Sequence, residues 1–249
     1  MNQKSTVLSQ KQMATLLAML IALMPLSIDA YLPAIPNMAE SLGADIHRIE
    51  QSLSTFLLGV AAGQLVGGSL SDIKGRRVIA LSGLVVFIIA TFGLAAVQTG
   101  EQLLMLRMVQ AFGAGMTVVV VGAVVRDQYE GREAAQMFAL IGIILMIAPL
   151  IAPLAGAGLQ ALGGWRLIFV SLAVYAMVVW GLLLRFVSKP IKIEPLSAGF
   201  MRGVLMRYLR VFKTRIALGF LFFQAFSFSS MFVFLTESSF VYMELYGVS

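Results

Sequence analysis

Asp29 stands inside a long apolar run, within Ser27-Ile28-Asp29-Ala30-Tyr31-Leu32-Pro33. An ionisable group in such a setting is expensive and marks a functional position. A carboxylate whose surroundings alternate between wet and dry can take up and release a proton, which is the outline of a proton-coupling site. The plainer alternative is that Asp29 lies close enough to the end of its run to be hydrated. Arg107 enters a second apolar run about four residues from its end, roughly 6 to 8 Å deep at about 1.5 Å per residue. Asp29 sits about five residues below the end of its own run, so the two share a depth and could form a switchable ion pair. The alternative for Arg107 is snorkelling, with the stem buried and the guanidinium among headgroups. Other chemistries lack their parts. There is no cysteine, and the single histidine, His47, falls in a polar loop. Neither a thiolate or histidine metal site nor a Ser-His-Asp triad can be assembled, so no catalytic residue, metal or cofactor is expected.

The elements that carry these two residues must be membrane spans. Of the 249 residues, 59% are hydrophobic and 12% charged, against about 45–50% and about 25% in soluble domains. A helix crosses a hydrocarbon core of about 30 Å with roughly 20 residues and satisfies its own backbone there. The apolar runs have that length and are too continuous for barrel strands, which alternate. They predict seven helices, near 13 to 34, 52 to 71, 78 to 98, 102 to 125, 137 to 160, 167 to 187 and 216 to 236. The first follows Lys4 and Lys11 but is longer than a signal-peptide core, and more spans follow it.

Basic residues give the orientation, because cytoplasmic loops hold the positive charge. With the N-terminus inside, the inner segments hold Lys4, Lys11, Lys74, Arg76, Arg77, Arg126, Arg132, Arg185, Lys189, Lys192, Arg202, Arg207, Arg210, Lys213 and Arg215, which is 15 of the 18 basic residues. Only Arg48, Arg107 and Arg166 fall outside. This explains the net charge of +6 without nucleic acid. It places the chain's end on the outer side. Domain boundaries follow: a six-helix bundle over 1–187, a basic cytoplasmic linker with Pro190 and Pro195 over 188–215, and a seventh helix within 216–249. Phe200 to Phe212 mixes Leu, Met, Val, Phe and Tyr with Arg, which suits either an amphipathic helix on the inner leaflet or a solvated linker.

Gly59, Gly63 and Gly67, continued by Ser71, line one face of the second helix with small residues, so a neighbour can approach backbone to backbone. Packing is the ordinary reading and sliding between conformations the sharper one. Pro149, Pro153, Gly156 and Gly158 remove hydrogen bonds and volume from the fifth, giving a bend or a sealing contact. The loop Gly68-Ser69-Leu70-Ser71-Asp72-Ile73-Lys74-Gly75-Arg76-Arg77 is a tight turn with Asp72 at a helix end and Gly75 for the reversal.

As a string, that loop resembles the signature of the major facilitator superfamily, except that Ile73 takes the basic position after the aspartate, with Lys74 next to it. Arg107-Met108-Val109-Gln110-Ala111-Phe112-Gly113-Ala114-Gly115 resembles the family's helix 4 motif, with Ala111 where glycine is usual. Ala148-Pro149 through Pro153-Leu154-Ala155-Gly156 is similar to the antiporter motif of helix 5, and Gly164-Trp165-Arg166 before Phe169 resembles the start of helix 6. The string around Asp29 and the doubled proline point to the Bcr/CflA branch of drug-efflux proteins.

The resemblance implies an all-α fold of two six-helix halves, each an inverted pair of three-helix repeats, with substrate bound between the halves. Here the first half and one further helix are present, the chain reads as truncated, and a second half is expected in the complete protein. By the same resemblance Asp29, Arg107 and Gln110 would bind proton or substrate, and Gly68, Asp72, Gly75, Arg76 and Arg77 would form a gating loop. The function expected is export of small, partly apolar compounds against protons across a bacterial plasma membrane. The rival from another class is a truncated, non-transporting protein or a seven-helix module that binds a partner.

Overall fold

In the computed structural model, residues 10–186, 206 and 209–240 are described, the side chains of 186, 231, 232 and 234–240 excepted. Among them there is no strand. The helices are α1 (Gln10–Asp29), a 3-10 turn (Leu32–Ala34), α2 (Ile35–Leu42), α3 (Ile46–Lys74), α4 (Arg76–Ala95), α5 (Gly100–Gln128), α6 (Gly131–Phe186) and α7 (Arg215–Phe240). The run from α1 to α2, and each of α3 to α6, is long and apolar enough to cross a membrane. α6 holds two such lengths, residues 131–162 and 165–186, because Gly163 and Gly164 leave the helical region between them. Gly164, at φ +74°, has the left-handed backbone that a side chain resists. Helices therefore occupy all the expected spans.

Two boundaries depart from expectation. The helices outrun the apolar stretches: α3 and α5 have 29 residues each, about 43 Å of helix. Their starts are capped in the polar loops, where Asp45 accepts from His47 N at 2.8 Å and Thr99 from Gln102 N at 3.3 Å. The first span, expected to run unbroken to residue 34, instead stops as an α-helix at Asp29. Pro33 has no N–H for the Asp29 carbonyl and its ring crowds that oxygen, so the chain turns before α2 starts, with Pro36 in its first turn. Asp29 thus lies at an interruption.

The chain divides into two compact units, Met1–Pro195 and Leu196–Ser249. In the first, α1 packs on α6, α3 on α5, and α4 on α5 and α6. Its core is split. One apolar cluster gathers Leu16, Leu20, Leu23, Phe87, Ala114 and Val179; another gathers Tyr31, Met38, Leu94, Leu103, Trp165 and Phe169. Seven residues, about two helical turns, separate Phe87 from Leu94 on α4, and eleven separate Leu103 from Ala114 on α5. The second unit contains α7, and residues 209–213 before it are helical. The expected linker over 188–215 and its surface helix at 200–212 otherwise lie outside the described residues, as do residues 241–249.

Candidate functional site

Between the two apolar clusters lies a polar layer, flanked by a small third cluster of Ile28, Phe56, Val60 and Ala111. Ser27 on α1, Thr91 on α4, and Arg107 and Gln110 on α5 are all fully buried. α1 sets the first contact. Beyond Ala30, whose N–H reaches Leu26 O at 3.2 Å, its hydrogen-bond ladder stops. The freed Ser27 carbonyl accepts from Arg107 Nη1 at 3.0 Å instead. The same nitrogen donates to Gln110 Oε1 at 2.8 Å, and Gln110 Nε2 donates to Thr91 Oγ1 at 2.9 Å. Thr91 donates in turn to Phe87 O. The Arg107 guanidinium carbon lies 4.3 Å from the Tyr31 ring centre and 4.4 Å from that of Phe56. Two aromatic faces and two oxygen acceptors offset the desolvation of this cation. Its Nε and Nη2 are buried and have no partner among the described residues. The Tyr31 hydroxyl is shared with Ser52 Oγ at 2.8 Å.

Snorkelling is thereby overturned for Arg107. It lies seven residues into α5, about 10 Å from the helix start, and faces inward with no exposed surface. The ion pair with Asp29 is also not formed. Asp29 is half-buried and makes no hydrogen bond or ion pair among the described residues. Its surroundings hold few charges. Segments 12–39, 51–71, 78–95, 102–125, 134–165 and 167–184 contain two charged residues, Asp29 and Arg107. The other titratable groups in these segments are Tyr31 and Tyr175, the latter donating to Met19 O at 2.8 Å.

A second constellation closes the α3–α4 turn. Gly75, at φ +89°, reverses the chain, which a residue with a Cβ would do only under strain. Arg76 bridges Asp72 and Asp127, with Nε 3.0 Å from Asp127 Oδ2, and also donates to Ser71 Oγ at 2.6 Å. The structure thus brings Asp72, Gly75 and Arg76 together at this turn and adds Asp127 from the end of α5. Arg77 turns away and donates to Leu184 O on α6. Gly68 is half-buried near Val119, and Ile73 is half-buried beside the turn.

The small-residue face packs. A Cβ on Gly59, Gly63 or Gly67 would collide with backbone of Met108, Phe112 or Met116 on α5, and one on Gly115 with Val60 O. Close approach of α3 to α5 is what sets Phe56 against Arg107. Gly156 likewise admits the carbonyl of Ala30, the residue after Asp29, so α6 abuts the interruption. Pro149 and Pro153 sit inside a run whose only non-helical residues are Gly163 and Gly164. Neither proline breaks the helix. Gly158 is exposed, with open space beside it.

Comparison with known proteins follows the same lines. The family profile described as Major Facilitator Superfamily matches residues 17–249. The chain is 29% identical over 232 residues to the bicyclomycin resistance protein homolog of Haemophilus influenzae, covering 93% of this chain and 58% of that one. It is 41% identical over 148 residues to the chloramphenicol resistance protein of Pseudomonas aeruginosa, covering 59% of this chain and 35% of that one. The human organic anion transporter MFSD10 superposes with a TM-score of 0.59 at 18% identity, over 76% of this chain and 51% of that one. The chain therefore spans roughly a third to three-fifths of the length of these proteins.

Proposed function

The chain belongs to the major facilitator superfamily of multi-pass membrane transporters, and from that premise we propose that it forms the first half of a proton-coupled exporter of small, partly apolar compounds. The observation that carries the reading is Asp29: an acid without a partner, half-buried, at an interruption of its helix, and one of two charged residues in the apolar layer. A carboxylate so placed is available to a proton from whichever side is open. Arg107 is the fixed charge of the same layer, since a guanidinium keeps its proton and this one is held to the backbone two residues before Asp29. Gln110 anchors that guanidinium.

The names of the bacterial relatives support resistance-type efflux across the plasma membrane. The distribution of Lys and Arg supports an N-terminus and a Gly75 turn on the cytoplasmic side. On this reading the Asp72–Arg76–Asp127 bridge, with Gly68 and Arg77, latches the inner gate. The substrate cavity is completed by a second half.

Chloramphenicol flux in proteoliposomes under an imposed pH gradient tests the proposal. In the complete transporter, Asp29→Asn is expected to lower gradient-driven flux at least tenfold. Undiminished driven flux in that variant would remove Asp29 from the coupling.

A further inference from the structure

Thr91 was not among the residues whose type suggested chemistry, yet the geometry gives it a defined task. Its hydroxyl carries one proton, which goes to Phe87 O. Toward Gln110 it can therefore only accept, so the group of Gln110 that faces it is the NH2. The carboxamide oxygen is then turned to Arg107, which has donors and no acceptor. Both ends of the chain impose the same direction: a guanidinium cannot accept at one end, and a backbone carbonyl cannot donate at the other. A flipped amide would set its NH2 against the guanidinium, two donors face to face in a dry layer.

We propose that Thr91 is a positioning residue for the proton-binding site: by locking the Gln110 amide it holds the Arg107 guanidinium on the Ser27 carbonyl, and so fixes the end of α1 that presents Asp29. The inference rests on the proposed role of Asp29 for its importance, but the hydrogen-bond chain itself does not. With the lock removed, Gln110 can rotate, and Arg107 Nη1 loses one of its two acceptors. Its free Nε and Nη2 then have reason to seek another acceptor. The charged and titratable groups of the surrounding helices are few: α3 and α4 contribute none within the apolar segments, α6 contributes Tyr175, bonded to Met19 O, α5 contributes Arg107, and α1 with its turn contributes Asp29 and Tyr31.

The molecule supplies its own control. Thr117 is equally buried, and its hydroxyl bonds Gly113 O at 3.0 Å and Ala80 O at 3.3 Å, but it does not touch the Gln110 chain. Thr117→Val removes a buried threonine hydroxyl of the same kind without unlocking Gln110.

The test compares wild type, Thr91→Val, Thr91→Ser, Thr117→Val and Asp29→Asn in lipid. The Asp29 carboxyl is titrated by infrared difference spectroscopy, its band assigned by loss in Asp29→Asn, and flux is measured against pH alongside. Thr91→Val is expected to displace the Asp29 midpoint by about one pH unit, a tenfold change in proton affinity, and to move the flux profile with it. Thr91→Ser, which keeps the hydroxyl, and Thr117→Val are expected to titrate as wild type. If Thr91→Val fails to accumulate, Thr91→Ala, which has no acceptor at that position, takes its place with the same expectation. A wild-type midpoint in the hydroxyl-deficient variant overturns the inference, and so does an equal displacement in Thr117→Val. The infrared comparison requires no transport. It judges Thr91 even where undiminished flux in Asp29→Asn has removed the proposed function.

Discussion

The protein uses arginine in two opposite ways. Arg76, at the α3–α4 turn, is 27% exposed and lies between two half-exposed carboxylates, Asp72 and Asp127. Arg107 has no exposure and no carboxylate partner; its partners are a carbonyl, an amide oxygen and two aromatic rings. Water and salt stand ready to replace either acid at the first site, so the bridge there adds little and is easily opened. At the second nothing can replace a lost acceptor, so orientation is everything. The contrast separates two uses of charge: an exposed bridge opens at little cost, as the proposed latch requires, and a fully committed cation holds its place, as the proposed role of Asp29 in the same layer requires.

The most direct way to break the comparison is the same change at both places. Arg107→Lys keeps the charge but loses the planar group that lies between Tyr31 and Phe56 and that sets Nη1 against both Ser27 O and Gln110 Oε1. The expected loss of stability is roughly 2 kcal/mol or more, the order of a desolvated cation–π contact. Arg76→Lys, free to follow its carboxylates in a wet environment, is expected to cost less than about 1 kcal/mol. Unfolding of both variants in one detergent, followed by helical circular dichroism, gives the ranking. Equal losses would mean that the Arg107 layer is no more committed than the turn.

Much of this contrast could be read from the residues, and the part that could not has a physical reason. A charge within an apolar run is conspicuous because its cost is, so Asp29 and Arg107 stood out before any geometry was known. The glycines of α3 stood out for the same kind of reason, since a four-residue repeat without side chains has one main structural use, and Met108, Phe112 and Met116 fill the space it leaves. Thr91 carried no such signal. A threonine in a helix satisfies its hydroxyl on its own preceding turn, as this one does on Phe87 O, and nothing in the sequence tells whether a neighbour also uses it. Asp127 was silent because it ends a helix beside other charged residues, where an acid costs nothing. The interruption after Asp29 was written in Pro33 and Pro36, but apolar composition runs through both, and a span drawn from hydropathy alone continued past the point where backbone geometry ends it.

At the turn itself the contrast can be sharpened by salt. Asp127→Asn removes one of the two acids on Arg76 and leaves the other. The expected loss is about 0.5–1 kcal/mol at low ionic strength, falling toward zero near 1 M salt, where the screening length is about 3 Å. Unfolding midpoints measured across a salt series provide the check. A loss independent of salt would mean that the carboxylate acts through packing or a dry hydrogen bond, and the turn would then resemble the buried layer more than a latch.

The smallest effect is expected at the opposite end of the bundle, where Arg48 on α3 meets Glu101 on α5 at 3.1 Å with 44% and 64% of their side chains exposed. The pair joins the same two helices that the glycine face joins, so it has every structural opportunity to matter. It is nevertheless a monodentate contact between long exposed side chains, and the order they give up in holding it offsets most of its Coulomb attraction. Arg48 also has Gln51 as a second acceptor at 3.1 Å, so losing the acid does not leave it without a partner. Glu101→Gln is therefore expected to leave the unfolding midpoint where it is in wild type. A double-mutant cycle with Arg48→Gln measures the coupling directly. A resolvable coupling would show that exposure alone does not divide the cheap charges of this protein from the committed one, and that the packing of α3 on α5 helps to hold this pair in place as well.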